Sequence, residues 1–244
     1  MSKHENVFNF SLTSKNLLAS AMATTIAEII SLPVGTVKTN FQNTTEKSIR
    51  DSIKKIYQQS GIRGFYVAST AAVASQVISM SSKYTFYRYL EDLNLPYSNK
   101  IINGMLSGIA SSVITHPFDA IKIHLQMNTP FMPEIRRHGI SVIYRGYSKT
   151  FCKVCVGSSL FFPIYDYANS VFKNNFYAAI TSSVISTFII HPIDYLKTRH
   201  IYGLPRYQGW NPLIYYKGLT LNLARIVPNF VIIMTMIDYL KTKF

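Results

Sequence analysis

Three stretches of the sequence share one pattern, in which a proline is followed at fixed distances by an acidic and then a basic residue. They read Pro33-Val34-Gly35-Thr36-Val37-Lys38, Pro117-Phe118-Asp119-Ala120-Ile121-Lys122 and Pro192-Ile193-Asp194-Tyr195-Leu196-Lys197. The first copy has glycine, Gly35, in the acidic place. The three prolines are 84 and 75 residues apart, and a long stretch repeated at such intervals indicates an internal repeat.

A second pattern, an aromatic residue followed by a base and glycine, comes after each proline stretch. Tyr144-Arg145-Gly146 and Tyr216-Lys217-Gly218 match it in full, whereas Phe65-Tyr66-Val67-Ala68 keeps only the aromatic residues. A Pro-x-acid-x-x-base hexad should arise by chance only about 0.04 times in a chain of this composition, and motif matches need such a check. The sequence therefore predicts three copies of one unit, each with two long segments joined by a short loop.

The composition is too poor in charge for an ordinary soluble enzyme. Charged residues make up 15% of the 244 residues, against about 25% in a typical soluble domain, and 48% of the chain is apolar. The formal net charge is +14, from 25 Lys and Arg against 11 Asp and Glu. Because the bases are spread along the chain instead of clustered, we expect an anionic lipid or substrate, and no nucleic acid, as the partner.

Neither a metal site nor a cleaved targeting segment is predicted. Cys152 and Cys155 form a lone C-x-x-C without the second ligand pair that zinc requires, so we expect two packed thiols. His116 and His191 precede two of the prolines and are expected to be packing residues. Residues 1–15 lack the apolar core of a signal peptide and the Arg-rich amphipathic character of a transit peptide.

Six long apolar segments cover most of the chain, approximately 14–41, 69–90, 99–127, 148–171, 176–201 and 217–240. Small or polar residues interrupt each of them. In the second segment these residues recur at helical spacing and share one face: Ser75, Ser79, Ser82, Lys83 and Tyr87. A polar stripe on an apolar helix predicts lipid or protein on one side and a watery path on the other.

With its proline and aromatic signatures, the sequence resembles the mitochondrial carrier family from about Ser14 to Lys241. The resemblance implies an all-α membrane protein with six transmembrane helices in three pseudo-symmetric repeats and three short matrix helices. The repeats would span residues 1–97, 98–173 and 174–244. It also implies a multi-pass protein of the mitochondrial inner membrane that works as a monomer, with cardiolipin bound near the glycine signatures.

The proline signature physically suits a gate on the matrix side. Pro33, Pro117 and Pro192 would kink three helices so that they converge. By resemblance, Asp119 would pair with Lys197, and Asp194 with Lys38. Gly35 cannot pair with Lys122, so we expect two ion pairs instead of three and a free Lys122. The resemblance also assigns Gln42 and Gln126 as glutamines that brace these pairs.

The opposite, cytosolic gate departs from the family pattern of aromatic-acid-x-x-base on the even segments. Asp166 lacks its base, because Asn169 stands there, whereas Asp238 keeps Lys241. The second segment carries Arg88 and Glu91 with the signs reversed. Arg88 could meet Asp166, and Glu91 could meet Lys241, but the pairing scheme stays open.

Candidate substrate contacts are ionisable residues within the segments and residues at family contact positions. The contact positions lie seven residues after the glycine place of each signature. The candidates are Glu28, Ser75, Lys83, Lys153, Val154 and Arg225. Glu28 could instead pair with Lys83. Three cations, or four with a free Lys122, against one carboxylate favour a polyanion such as a nucleotide, with a di- or tricarboxylate or keto acid as the alternative.

The predicted function is transport by alternating access. We expect exchange of small anions without covalent chemistry, and therefore no enzyme activity and no cofactor, because no nucleophile–base set is present. A passive anion or proton channel is the less favoured alternative, which counter-substrate dependence in liposomes would distinguish.

Overall fold

The computed structural model describes residues 2–46, 48–93, 100–205, 209–226, 228–229 and 232, and the regular structure within these ranges is entirely helical. The α-helices are α1 (Ser2–Asn43), α2 (Ile49–Ser60), α3 (Ser69–Asp92), α4 (Lys100–Gln126), α5 (Phe131–His138), α6 (Tyr147–Phe172) and α7 (Asn175–Ile201). Short 3-10 helices cover Gly61–Tyr66, Ile140–Tyr144 and Pro212–Tyr216, and residues 219–226 are again α-helical. The prediction of an all-α protein is confirmed.

Polar side chains fix the starts of several helices. Asn174 accepts hydrogen bonds from the backbone N–H groups of Phe176 and Tyr177, which begin α7. Ser48 caps α2 in the same way, and Asn211 caps the 3-10 helix that starts at Pro212. Such caps satisfy backbone donors that have no partner within the helix, so the loops between the long helices end at defined residues.

The three proline-bearing helices form the centre of the bundle. α1, α4 and α7 contain Pro33, Pro117 and Pro192 in their interiors and contact one another. α3 packs against α1 and α4, and α6 packs against α4 and α7. The second and fourth long segments, α3 and α6, therefore each fill the space between two proline helices.

Small side chains repeat on the proline helices in a way that the sequence analysis missed. Six and ten residues before each proline stand buried alanines or serines: Ala27 and Ala23, Ser111 and Ser107, Ser186 and Ser182. Residues four apart share a helix face, and small residues let helices approach closely. Three and four residues before each proline the side chains are instead large, apolar and 40–54% exposed: Ile30 and Ile29, Ile114 and Val113, Ile189 and Phe188.

The two complete aromatic-base-glycine signatures join the second and third repeats to the next proline helix. Arg145 Nε donates to the carbonyl of Ile201 at 3.0 Å, and Lys217 Nζ donates to the carbonyl of Thr44 at 2.8 Å. Both carbonyls lie at or just beyond the end of a proline helix, where they lack helical partners and where a cation is favoured. The signature bases therefore cap helices of the following repeat.

Gly146 fits this junction only without a side chain. Its φ is +86°, and a Cβ there would lie 3.0 Å from Cγ1 of Ile201. We expect Gly146→Ala to lower the free energy of unfolding by about 3 kcal/mol, from backbone strain and overpacking together. Gly139→Ala is not an equivalent change, because the φ of +77° and ψ of −177° at Gly139 lie in a region that glycine alone adopts readily, although nothing lies within 4 Å. Thermal unfolding in detergent checks the prediction; a Gly146→Ala variant that unfolds at the wild-type temperature would contradict the tight junction.

The two histidines before the prolines are packing residues, as predicted. His116 and His191 are fully buried. His116 Nε2 donates to the carbonyl of Arg145 at 3.2 Å, and its Nδ1 lies 3.0 Å from the Thr150 hydroxyl. His191 Nε2 donates to the carbonyl of Lys217 at 3.3 Å. Each histidine therefore ties its proline helix to the signature of the same repeat.

Two expectations differ from the structure, and the count of six membrane spans is not confirmed. Short helices α2 and α5 occupy the first two loops, but the described residues between Ile201 and Pro212 contain none, because that loop is too short. Cys152 is exposed and is not a packed thiol, whereas Cys155 is half-buried. Of the described helices, only residues 176–201 are long and apolar enough by composition to cross a membrane, with a mean hydropathy of 1.4. The charged and polar residues of α1, α3, α4 and α6 lower the hydropathy of these helices.

Candidate substrate cavity

A cavity of about 790 Å³ lies between the long helices and is open to solvent. All six residues predicted as substrate contacts line it: Glu28, Ser75, Lys83, Lys153, Val154 and Arg225. The acids and bases of the proline signature line it as well: Lys38, Asp119, Lys122, Asp194 and Lys197. The repeats thus bring together residues that are distant in sequence.

Asp119 joins α4 to α7 and α3. Lys197 Nζ donates to Asp119 Oδ2 at 2.8 Å, which is the contact predicted from the repeat. The hydroxyl of Ser75 donates to the other carboxylate oxygen at 2.9 Å. The carboxylate of Asp119 is therefore shared between a signature lysine and a contact-position residue.

Asp194 is shared in the same way between α1 and α6. Lys38 binds one carboxylate oxygen, as predicted, and Lys153 binds the other. Lys38 Nζ also donates to Asn222 Oδ1 at 2.9 Å. The sequence analysis missed Asn222, although it lies three residues before Arg225 and hence on nearly the same helix face.

Glu28 is the third shared carboxylate, and it corrects the prediction of a free Lys122. Lys122 binds Glu28 Oε1, and Arg225 Nη2 donates to Glu28 Oε2 at 3.0 Å. The Glu28 side chain is only 3% exposed. Glu28 pairs with these two cations and not with Lys83. The cavity thus holds three shared carboxylates in its described lining, not the two ion pairs expected.

The three carboxylates follow one rule across the repeats. Each binds one signature lysine and one residue from a contact position, namely Ser75, Lys153 or Arg225. The first repeat differs from the other two only in the position of its acid, since Glu28 lies seven residues before Gly35. An ideal Cβ on Gly35 would lie 3.3 Å from Arg225 Nη1, so Arg225 also reaches the signature position.

The described cavity lining carries an excess of positive charge. It has six cations, Lys38, Lys83, Lys122, Lys153, Lys197 and Arg225, and three carboxylates, Glu28, Asp119 and Asp194. Lys83 is the cation that makes no ion pair with any described residue, and it is exposed to the cavity. The lining can therefore attract an anion before any ion pair is broken.

The two predicted bracing glutamines contact other groups. Gln126 accepts a hydrogen bond from the Thr39 hydroxyl at 2.7 Å, and Gln42 donates to the carbonyl of Lys217 at 3.2 Å. Within the described part of the chain, neither amide hydrogen-bonds an ion pair. Gln126 fills space next to Gly35, where the absent acid would otherwise stand.

The cytosolic gate is only partly described. Arg88 lies 3.6 Å from Glu91 on the same helix, α3, and both are largely exposed. Arg88 therefore does not pair with Asp166, which makes no ion pair with any described residue. Asp238 and Lys241 lie outside the described residues, so the predicted contact of Glu91 with Lys241 stays a prediction.

Comparisons with known proteins place these features in one family. A family model described as mitochondrial carrier protein matches the chain over residues 11–98 and again over 93–176. A mitochondrial carrier-like protein of Acanthamoeba polyphaga mimivirus is 54% identical, covering 92% of this chain and 94% of that protein. The mitochondrial thiamine pyrophosphate carrier 1 of Meyerozyma guilliermondii is 23% identical over 87% of this chain and 88% of its own. The mitochondrial 2-oxodicarboxylate carrier of Bos taurus is 24% identical, with 93% of each chain covered.

Proposed function

Because the chain belongs to the mitochondrial carrier family, we propose that it exchanges small anionic metabolites across the mitochondrial inner membrane by alternating access. The observation that carries the proposal is the cavity, where three carboxylates each bind both a signature lysine and a contact-position residue. An anion that takes Lys153 or Arg225 from its carboxylate breaks a contact between a proline helix and a neighbouring helix, and leaves that carboxylate with its signature lysine alone. Substrate binding is thereby linked to opening on the matrix side.

Six membrane spans are part of this proposal. The exposed apolar pairs just before each proline lie at equivalent places on α1, α4 and α7. Exposed pairs such as Ile29 and Ile30 suit contact with acyl chains, while the polar faces of the same helices line the cavity. The low hydropathy of most spans follows from this division into two faces. We expect a monomer in which anionic lipids such as cardiolipin contact the glycine signatures.

Nucleotides are the preferred substrate class. The six cations and three carboxylates of the described lining leave an excess of three positive charges, which suits a substrate with several phosphate charges. A cavity of about 790 Å³ is within the size range of sites for molecules of this kind. We expect Val154, which also lines the cavity, to contact the base.

Dicarboxylates are the second candidate, and the relatives supply the observation that favours them. The similar proteins include carriers named for 2-oxodicarboxylate and for succinate and fumarate, besides thiamine pyrophosphate. Purified protein in liposomes should therefore be tested with labelled nucleotides, thiamine pyrophosphate and dicarboxylates, each with and without internal counter-substrate. Uptake of dicarboxylates alone would overturn the nucleotide assignment, and uptake independent of counter-substrate would overturn exchange.

Lys83 provides a test of anion attraction that leaves the ion pairs intact. We expect Lys83→Gln to lower the exchange rate about 10-fold, because one charge-assisted contact to the substrate is lost. The unfolding temperature without substrate should change by no more than about 2 °C, since no described carboxylate loses its partner. Lys55→Gln, on α2 outside the cavity, is the control and should leave transport unchanged. Full activity of the Lys83 variant would remove it from the substrate path.

A further inference from the structure

Position 35 lacks the carboxylate that the other two repeats carry, yet both cations that would face it are paired. Lys122 and Arg225 bind the two oxygens of Glu28. Seven residues on a helix amount to nearly two full turns, so Glu28 and Gly35 lie on the same face of α1, about 10 Å apart along its axis. The carboxylate of the first repeat therefore stands about two helical turns before position 35. It still binds one signature lysine and one contact-position residue.

We propose that Glu28 replaces the missing carboxylate of position 35 and serves as the third acid of the matrix-side gate. The inference rests on the proposed transport function and deepens it. Asp119 binds Lys197 and Ser75, Asp194 binds Lys38 and Lys153, and Glu28 binds Lys122 and Arg225 in the corresponding arrangement.

Burial explains why Lys122 binds Glu28. A buried ammonium without a partner is strongly unfavourable, so Lys122 binds the nearest carboxylate on its neighbour α1. Lys122 and Glu28 have side chains only 16% and 3% exposed. Gly35 in turn leaves room for the Arg225 guanidinium, whose Nη1 would lie 3.3 Å from a Cβ at that position.

The displaced acid lies beside a candidate substrate contact. Glu28 stands about 10 Å further from the C-terminal end of α1 than a carboxylate at position 35 would, and it binds the contact-position residue Arg225. An anionic substrate that binds Arg225 must therefore compete directly with Glu28. The contact between Glu28 and Arg225 opens when the substrate anion replaces the Glu28 carboxylate at Arg225.

The test moves the carboxylate back to the signature position. We expect Glu28→Gln to lower exchange of labelled ATP, or of labelled 2-oxoglutarate if the wild type carries only that, by at least about 10-fold. It should also lower the unfolding temperature in detergent. Adding Gly35→Asp should restore both to near the wild-type values, because a side chain there lies beside Arg225 and because the other two repeats pair this position with the signature lysine that corresponds to Lys122. Adding Gly35→Asn, which has the same shape without the charge, should restore neither.

Controls separate a displaced acid from a general structural role. Asp51→Asn, on the exposed side of α2, removes a carboxylate outside the cavity; it should leave exchange unchanged and lower the unfolding temperature only slightly, since Asp51 lies in the first turn of its helix. If Glu28→Gln alone cannot be purified, the two double variants are compared instead. Glu28→Gln with Gly35→Asp should yield folded protein, and Glu28→Gln with Gly35→Asn should not. Wild-type activity of Glu28→Gln, or failure of Gly35→Asp to do better than Gly35→Asn, would overturn the inference. Because unfolding temperatures do not depend on transport, an inactive wild type would count against the proposed function alone.

Discussion

Asp119→Lys and Lys197→Asp should each lower exchange by about 100-fold or more, and the double variant should recover much of it. Each single change leaves two like charges in a largely buried contact, and disrupting such a pair costs about 3–5 kcal/mol. The double variant restores opposite charges across the same α4–α7 contact. The second partner of Asp119 is the Ser75 hydroxyl, which can accept from a lysine as well as donate to a carboxylate. Initial rates in liposomes and unfolding temperatures measure both effects.

The equivalent exchange at the other pair is the matched control. In Lys38→Asp with Asp194→Lys, the new lysine would stand against Lys153, which binds Asp194 in the wild type. Like charges would then meet, so this double variant should remain inactive. Equal recovery of the two double variants would contradict the shared-carboxylate arrangement.

Much of this cavity could be predicted from the three signatures and from the family resemblance that they carry. The contacts of Lys197 with Asp119 and of Lys38 with Asp194 follow from the repeat, because equivalent helices face each other in the same order. The contact positions seven residues after the glycine place also lie in the cavity, since the same register holds in all three repeats.

The partner of Lys122 could not be predicted by matching signatures alone. The alignment directs attention to position 35, where glycine has no charge, whereas the carboxylate stands two helical turns earlier. The seven-residue spacing of Glu28 and Gly35 was a usable signal, because it places both on one face. The described residues between Ile201 and Pro212 form no helix, and this could also have been predicted, since ten residues leave little room for a helix with its turns.

The arrangement also explains how helices of low hydropathy can hold a charged cavity in this protein. Every carboxylate of the described lining has two partners on other helices, so the charges are paired where water is scarce. Small buried residues such as Ala27 and Ser111 bring the helices close enough for these contacts. Three positive charges remain uncompensated, which is the feature that the substrate must satisfy.

Lys153→Gln and Arg225→Gln together should reduce anion exchange by about 100-fold or more while the protein stays folded. Each side chain offers a charge-assisted hydrogen bond, worth about 1.5–3 kcal/mol to a bound anion. The substitutions leave Asp194 with Lys38, and Glu28 with Lys122, so each carboxylate keeps one cation. Stability without substrate should therefore change little, in contrast to Asp194→Asn, which strands Lys38 and Lys153 together. Thermal unfolding with and without the transported anion separates the two cases: the double variant should lose the stabilisation by the anion, and Asp194→Asn should unfold at a lower temperature even without it. A double variant that still exchanges anions at the wild-type rate would show that substrate binds elsewhere.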